Sequence, residues 1–429
     1  MARFIYTLLL ILAAPLVPLY LLWRARRQPE YLRHWGERCG FYSRASRPPD
    51  GVKTLWLHAV SVGETRATQP LVKLIRQHWP QHRILITHMT PTGRQTSVEL
   101  YGDDDKLIRA YLPYDFPWAM HRFLRHFKPQ LGVIMETELW PNLIATCHKL
   151  DIPLLLVNAR LSEKSARGYA RFPRLMREAL QQLTAVAAQT SDDAIRLGNL
   201  GARDVQVTGN VKFDITPPPE LLARGSLWRE HWRTTTGQRR ILLAASTREG
   251  EEGLILDAYA RHLRHDLLLV IVPRHPQRFS AVAALATARK LRIERRSMTT
   301  EPGADVQVLL GDSMGEMFAY YAACDVAFIG GSLLDHGCQN LIEACAVGVP
   351  VLIGPSTYNF AEAAKAALEW GAAQQIRDAE EMLECAQALL FDPRHDKHST
   401  ASGESFATRH RGASERTIKL IASLLESGT

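Results

Sequence analysis

Short apolar runs alternate with helical patterns over most of the chain. From residue 53, the runs Thr54 to His58, Arg83 to Thr87, Leu107 to Leu112, Leu131 to Met135, Leu154 to Val157, Val186 to Gln189 and Val205 to Thr208 have strand length, and helical periodicity fills most of the gaps. Such alternation predicts a parallel sheet with helices on both faces, a doubly wound Rossmann-like α/β unit. Pro217, Pro218 and Pro219 then read as a stiff linker. A second alternation follows in Ile241 to Ala245, Leu267 to Val272, Val306 to Leu310, Asp325 to Ile329, Val349 to Ile353 and Ala373 to Ile376, closed by an amphipathic helix from about Ala407 to Leu425. The pattern predicts two α/β domains, residues 31–216 and 217–429, facing a cleft lined by the carboxyl-edge loops of both sheets.

Residues 1–30 break this rhythm. Phe4 to Trp23 carries no charge and is long enough to cross a hydrocarbon core as one helix, an N-terminal membrane anchor. Arg3 precedes it and Arg24, Arg26 and Arg27 follow, so the positive-inside rule leaves the rest of the chain on the cytoplasmic face of the inner membrane. A cleaved signal peptide would carry its basic cluster before the apolar run. Pro15 and Pro18 kink a spanning helix, so a segment entering one leaflet is the alternative. Tyr31, Trp35, Phe41 and Tyr42, interleaved with basic residues, are expected at headgroup depth, with a solvated connector as the other reading.

Charge and composition narrow the classes. The 429 residues are 46% hydrophobic and 22% charged, as in a folded protein of two domains. A net charge of +8 suits nucleic acid, an anionic membrane or an acidic substrate, and its concentration beside the apolar segment favours the membrane over nucleic acid. The six cysteines form no C-x-x-C pair and share no metal-ligand spacing with histidines, so reduced thiols and no metal or other cofactor are expected. The absence of G-x-G-x-x-G after a first strand, G-x-x-x-x-G-K-[ST], H-E-x-x-H and G-x-S-x-G removes support for dinucleotide oxidoreductases, P-loop ATPases, zincins and α/β-hydrolases.

Candidate chemistry lies at the strand ends. The stretch from Cys324 to Pro355 reads as one βαβ crossover with a Gly-rich loop at the carboxyl edge. A helix opening at Asn340, Leu341, Ile342 and Glu343 would aim its N–H groups at a phosphate, with Glu343 reaching a ribose diol; a capped helix with a dipole-favourable Glu is the plainer reading. Arg274, in Pro273-Arg274-His275-Pro276, comes at the same edge. Glu64 opens the helix after Ser61-Val62-Gly63 and reads either as a cap or as a general base. Glu136 and Glu138 follow an apolar strand and, if extended, point the same way, like charges close enough to raise one pKa of the pair. Lys212 meets either an anion or Asp214.

Seven blocks in order resemble the Kdo transferases, membrane-associated GT-B glycosyltransferases that move 3-deoxy-manno-octulosonate (Kdo) from its CMP ester to lipid A precursor. They are Trp35 to Arg38, His58 to Glu64, Met89 to Gly93, Met135 to Asn142, Gly209 to Asp214, Val272 to Pro276 and Gly330 to Ser332, and the resemblance spans nearly the whole chain. It implies an inverting transfer with Glu64 as general base and Glu138 and Lys212 supporting the transition state. It also implies contacts to the CMP-Kdo donor from Pro273 and Arg274, from Met314, Gly315 and Glu316, and from Asn340, Leu341, Ile342 and Glu343. The implied partners are that donor, the lipid A precursor and inner-membrane lipids. Where the family often has Gly-Gly-His-Asn, this chain has Gly337-Cys338-Gln339-Asn340, and Cys338 is expected to limit the positive φ that Gly allows. A sugar-nucleotide epimerase of similar shape, or a non-catalytic membrane-tethered nucleotide binder, are the alternatives; the apolar N-terminus speaks against the first.

Overall fold

The computed structural model of the chain describes residues 1–429 except 27, 50, 234–238, 300, 393–405, 407, 410, 428 and 429, so Arg27 and Ala407 lie outside the described residues. Two compact units emerge, one of Met1–Asp214 with Arg411–Thr429, the other of Ile215–His410. The first holds β1 (Thr54–His58), β2 (Arg83–His88), β3 (Leu107–Tyr111), β4 (Leu131–Met135), β5 (Leu154–Ala159), β6 (Ala185–Ala188) and β7 (Val205–Val207). They form one parallel sheet in the order β3-β2-β1-β4-β5-β6-β7. Strands β1, β4 and β5 are buried along their whole length, as a sheet covered on both faces requires. Chain direction across the sheet reverses between β1 and β4, which opens a crevice at their carboxyl ends.

The second unit repeats the plan with β8 (Arg240–Thr247), β9 (Leu267–Pro273), β10 (Ile293–Arg295), β11 (Val308–Leu310), β12 (Val326–Ile329), β13 (Val351–Ile353) and β14 (Ala373–Gln375), in the order β10-β11-β9-β8-β12-β13-β14. All pairings are again parallel, and the reversal falls between β8 and β12. Two such domains are consistent with a GT-B architecture. β10 is absent from the sequence reading because three half-buried residues at a sheet edge leave no periodic signature.

Both chain ends depart from expectation. The second domain does not run to residue 429: the helix Ala413–Ser427 places Ile418, Ile421 and Leu425 in one core with Leu71, Ile75 and Leu131 of the first unit. Asp214 caps it, its carboxylate accepting from the Gly412 N–H at 2.6 Å and from the Ser414 N–H. An amphipathic helix settles where an apolar face is still open, and that face belongs to the first sheet.

At the other end, the expected single anchor helix is two, α1 (Ala2–Ala13) and α2 (Leu16–Ala25), bent by 56°. Pro15 sits at the break and Pro18 in the first turn of α2, where a missing N–H costs nothing. No single helix among the described residues is long and apolar enough to cross a membrane, although the bent pair together meets that length and composition. The expected headgroup-level segment is also partly absorbed into the domain. Tyr31 and Arg38 are buried; the Arg38 guanidinium stacks 4.2 Å from the Tyr111 ring centre, and Glu37 accepts the Tyr111 N–H at 2.7 Å. Phe41 and Leu32 stay exposed.

Candidate active site

Ser61 caps the short helix Val62–Ala67, its Oγ accepting the Glu64 N–H at 3.4 Å, and Glu64 reaches back. One Glu64 carboxylate oxygen accepts the Val60 N–H at 2.7 Å and the other the Ser61 hydroxyl at 2.9 Å. This is a capping box displaced by one residue, so the cap reading of Glu64 is right as geometry. Each oxygen still has a lone pair to spare. The side chain is 7% exposed, and burial lifts the carboxyl from its ordinary 4.5 to about 7, opposed by the Val60 bond and reinforced by the charges of Glu136 and Glu138.

Those two carboxylates leave β4 on the other side of the crevice, and they do not point the same way. Glu136 takes a left-handed conformation, φ 56, which turns the chain out of the extended form; its N–H still donates to Val157 O at 2.8 Å. Its carboxylate accepts from Lys212 Nζ at 2.8 Å, so Lys212 pairs with Glu136 and not with Asp214. Glu138 accepts the Trp140 indole N–H at 3.0 Å, and its carboxyl is raised chiefly by burial. The crevice between β1 and β4 thus gathers three acids and one lysine.

Residues the sequence reading passed over hold this edge in place. Asn158 is fully buried at φ 55 on a bulge where the β5–β6 register shifts between Val157 and Ala159, and its Oδ1 accepts the Val211 N–H at 3.1 Å, fixing the turn that presents Lys212. A bulge of this kind re-aims a side chain beside a site. His58, also fully buried, pairs through Nδ1 with Thr87 Oγ1 at 2.9 Å and meets Trp140 edge-on at 6.2 Å; burial pushes it down to about 3, so it is neutral. Only an Asn inside an apolar strand run hinted at any of this.

The second unit carries a matching edge. Ser246, φ 55, sits on a β8 bulge between Ala245 and Thr247. Glu251, fully buried, accepts the N–H groups of Arg248 at 2.8 Å, Gly331 at 2.6 Å and Leu333 at 2.9 Å, stitching the loop after β8 to the loop after β12. Nothing in the sequence separates it from Glu249 or Glu252. At Gly330 a Cβ would stand 2.5 Å from Thr247 Cα, so only glycine lets these loops touch.

The residues expected to meet the donor lie in loops after strands of the second unit, with three corrections. Pro273 ends β9 and the Arg274 N–H donates to Thr247 O at 2.9 Å. Met314 is exposed, Gly315 turns the chain at φ 77, and Glu316 is clasped by Arg224 at 2.6 Å and by Arg296. The helix expected from Asn340 begins at Ile342, because Asn340 Oδ1 takes the Ile342 N–H at 3.1 Å while its Nδ2 donates to Glu343 at 3.0 Å. Leu341 and Ile342 are buried, which leaves only their backbone to meet a ligand. Cys338 does adopt positive φ, 67, held by its N–H to Gly331 O at 2.6 Å and by the Gln339 N–H to Gly330 O at 2.9 Å.

The family model described as 3-Deoxy-D-manno-octulosonic-acid transferase (kdotransferase) matches residues 33–215, and that of Glycosyl transferases group 1 matches 236–404. A 3-deoxy-D-manno-octulosonic acid transferase of Bordetella pertussis is 41% identical, covering 98% of this chain and 99% of its own. One of Haemophilus influenzae is 37% identical, covering 99% of each. Among solved structures, UDP-GlcNAc 2-epimerase from Neisseria meningitidis bound to UDP-GlcNAc has a TM-score of 0.54 and 16% identity over 87% of this chain and 100% of its own, a likeness of fold alone.

Proposed function

The chain belongs to the Kdo transferase family, and from that premise we propose how its residues divide the work of moving Kdo from CMP-Kdo to the lipid A precursor in lipopolysaccharide synthesis. The first unit takes the acceptor and the second the donor. Glu64 accepts the proton of a glucosamine-disaccharide hydroxyl as that oxygen bonds to the anomeric carbon of Kdo. The bond from that carbon to the CMP phosphate breaks on the opposite face, inverting configuration, and CMP departs with the electron pair. The observation that carries this reading is Glu64 at the reversal point between β1 and β4, buried, with its carboxyl near 7: a base matched to neutral pH.

Lys212 faces the Kdo carboxylate, oriented by Glu136, and Glu138 faces the cationic character that develops on the sugar ring. Arg274 and the turn from Asn340 to Glu343, without the Ile342 N–H that the Asn340 side chain takes, receive the phosphate, with Pro273, Met314, Gly315 and Glu316 around the nucleotide. The acceptor is a lipid, and α1 and α2 offer an apolar surface for one leaflet: Phe4, Leu9, Leu12, Leu16 and Leu19 are each at least 60% exposed, with Arg24 and Arg26 behind them. We place the pair in the cytoplasmic leaflet of the inner membrane.

The test is transfer of labelled Kdo from CMP-Kdo generated in place to tetraacyl lipid A precursor, with EDTA present. Labelled lipid from the wild type, and none from Glu64→Gln with donor binding intact, is the expected pair of results; unchanged transfer by Glu64→Gln removes the base assignment.

A further inference from the structure

The apolar helix α1 touches the domain through polar side chains. Tyr6 donates its hydroxyl to Asp115 Oδ2 at 3.0 Å, and the Thr7 hydroxyl is shared between Asn142 Oδ1 at 3.0 Å and Arg3 O of its own helix at 2.9 Å. Both receptors are almost fully buried, Asp115 at 3% and Asn142 at 2% exposure. Asp115 is already occupied with another task. Its carboxylate accepts the Asn142 N–H at 2.9 Å and the Leu143 N–H at 2.7 Å, and its backbone carbonyl accepts Asn142 Nδ2 at 2.7 Å. It is therefore the cap of the helix Pro141–Lys149, supplied from the loop after β3.

That helix begins where the acidic loop ends. Trp140, its N-cap residue, donates to Glu138, and Glu136 holds Lys212. One node of five hydrogen bonds, three of them buried, thus joins α1, the cap of this helix and the loop that carries the candidate acceptor chemistry. A tether alone would not need it, since a flexible link holds a domain near a membrane equally well.

We infer that α1 is a positioning element of the acceptor edge: Tyr6 and Thr7, through Asp115 and Asn142, fix the loop bearing Glu136 and Glu138 at a set height relative to the membrane-inserted helix. The lipid acceptor keeps its acyl chains beside α1 while its sugar headgroup meets that loop. This deepens the proposed function and rests on it for the identity of the acceptor.

The test is the double variant Tyr6→Phe, Thr7→Val, which removes both hydroxyl donors and keeps size and apolarity. With the seat needed for acceptor binding, the acceptor KM rises roughly tenfold, in vesicles and in detergent micelles alike, while donor KM and flotation with anionic vesicles stay at wild-type values. An unchanged acceptor KM overturns the inference. So does a rise confined to vesicles and accompanied by lost flotation, which marks a tether only. Tyr6→Phe alone, expected to show about a threefold rise, serves if the double variant does not fold. Wild-type protein that fails to float sinks the membrane reading, and the micelle measurement then judges the seat by itself.

Discussion

Glu64 holds two bonds that steady it and sits in surroundings that resist its charge, and the two facts set its pH behaviour. Its folded-state value, about 7, is raised above the ordinary 4.5, so the folded chain binds this proton more tightly than the unfolded chain between those values. The contribution to stability is full below 4.5 and is lost as pH rises through 7, a cost on the order of 3 kcal/mol at pH 8. Glu64→Gln is therefore expected to be more stable than wild type at pH 8 by calorimetry, with the gain shrinking toward pH 5, while transfer falls by roughly 10²–10⁴. For the wild type, kcat/KM should climb with pH through about 7 as the carboxylate forms. Lys212→Met should lower kcat yet shift stability by less than about 1 kcal/mol, since the Glu136 pair is partly open to water. That Glu64, Glu138 and Lys212 lie at strand ends was legible in the sequence, while their proposed roles rest on the family resemblance. Asn158 and Glu251 were not legible, because each acts on a loop far away in sequence, and an isolated Asn or Glu carries no mark of its distant partner.

At the scale of elements, parallel strands were the easiest to read: burial on both faces writes them as unbroken apolar runs, and thirteen of the fourteen among the described residues were found to within a few residues. Helix starts were harder. The Asn340 side chain takes the N–H that its own helix was expected to aim at phosphate, a choice made by side-chain geometry that composition does not encode. The bulges at Asn158 and Ser246 were invisible for a similar reason, being shifts of register between strands and not features of one strand. Asn158→Ala leaves the buried Val211 N–H without an acceptor and is expected to cost about 1–3 kcal/mol in denaturant unfolding, with a larger loss of kcat than of donor affinity, because the turn bearing Lys212 loosens.

Two domains and their order were plain from the repeat of the strand–helix alternation, but their membership was not. The last helix has the same apolar stripe whichever sheet it covers, and only the packed structure shows it on the first. A chain ending at residue 410 should consequently keep donor binding and lose cooperative unfolding of the first unit, exposing Leu71 and Ile75; urea unfolding followed by the fluorescence of Trp56, buried in that unit, would report it. There is a consequence for the order of events on the ribosome. The half that is translated first is the half that is finished last, since its sheet waits for Ala413–Ser427, which is made only after the whole of the second unit. A product of termination between His410 and Ala413 then carries a completed second unit and an unfinished first one. On the proposed division of work between the units, such a protein is expected to bind CMP-Kdo without consuming it and so to act as a weak competitor of the intact enzyme.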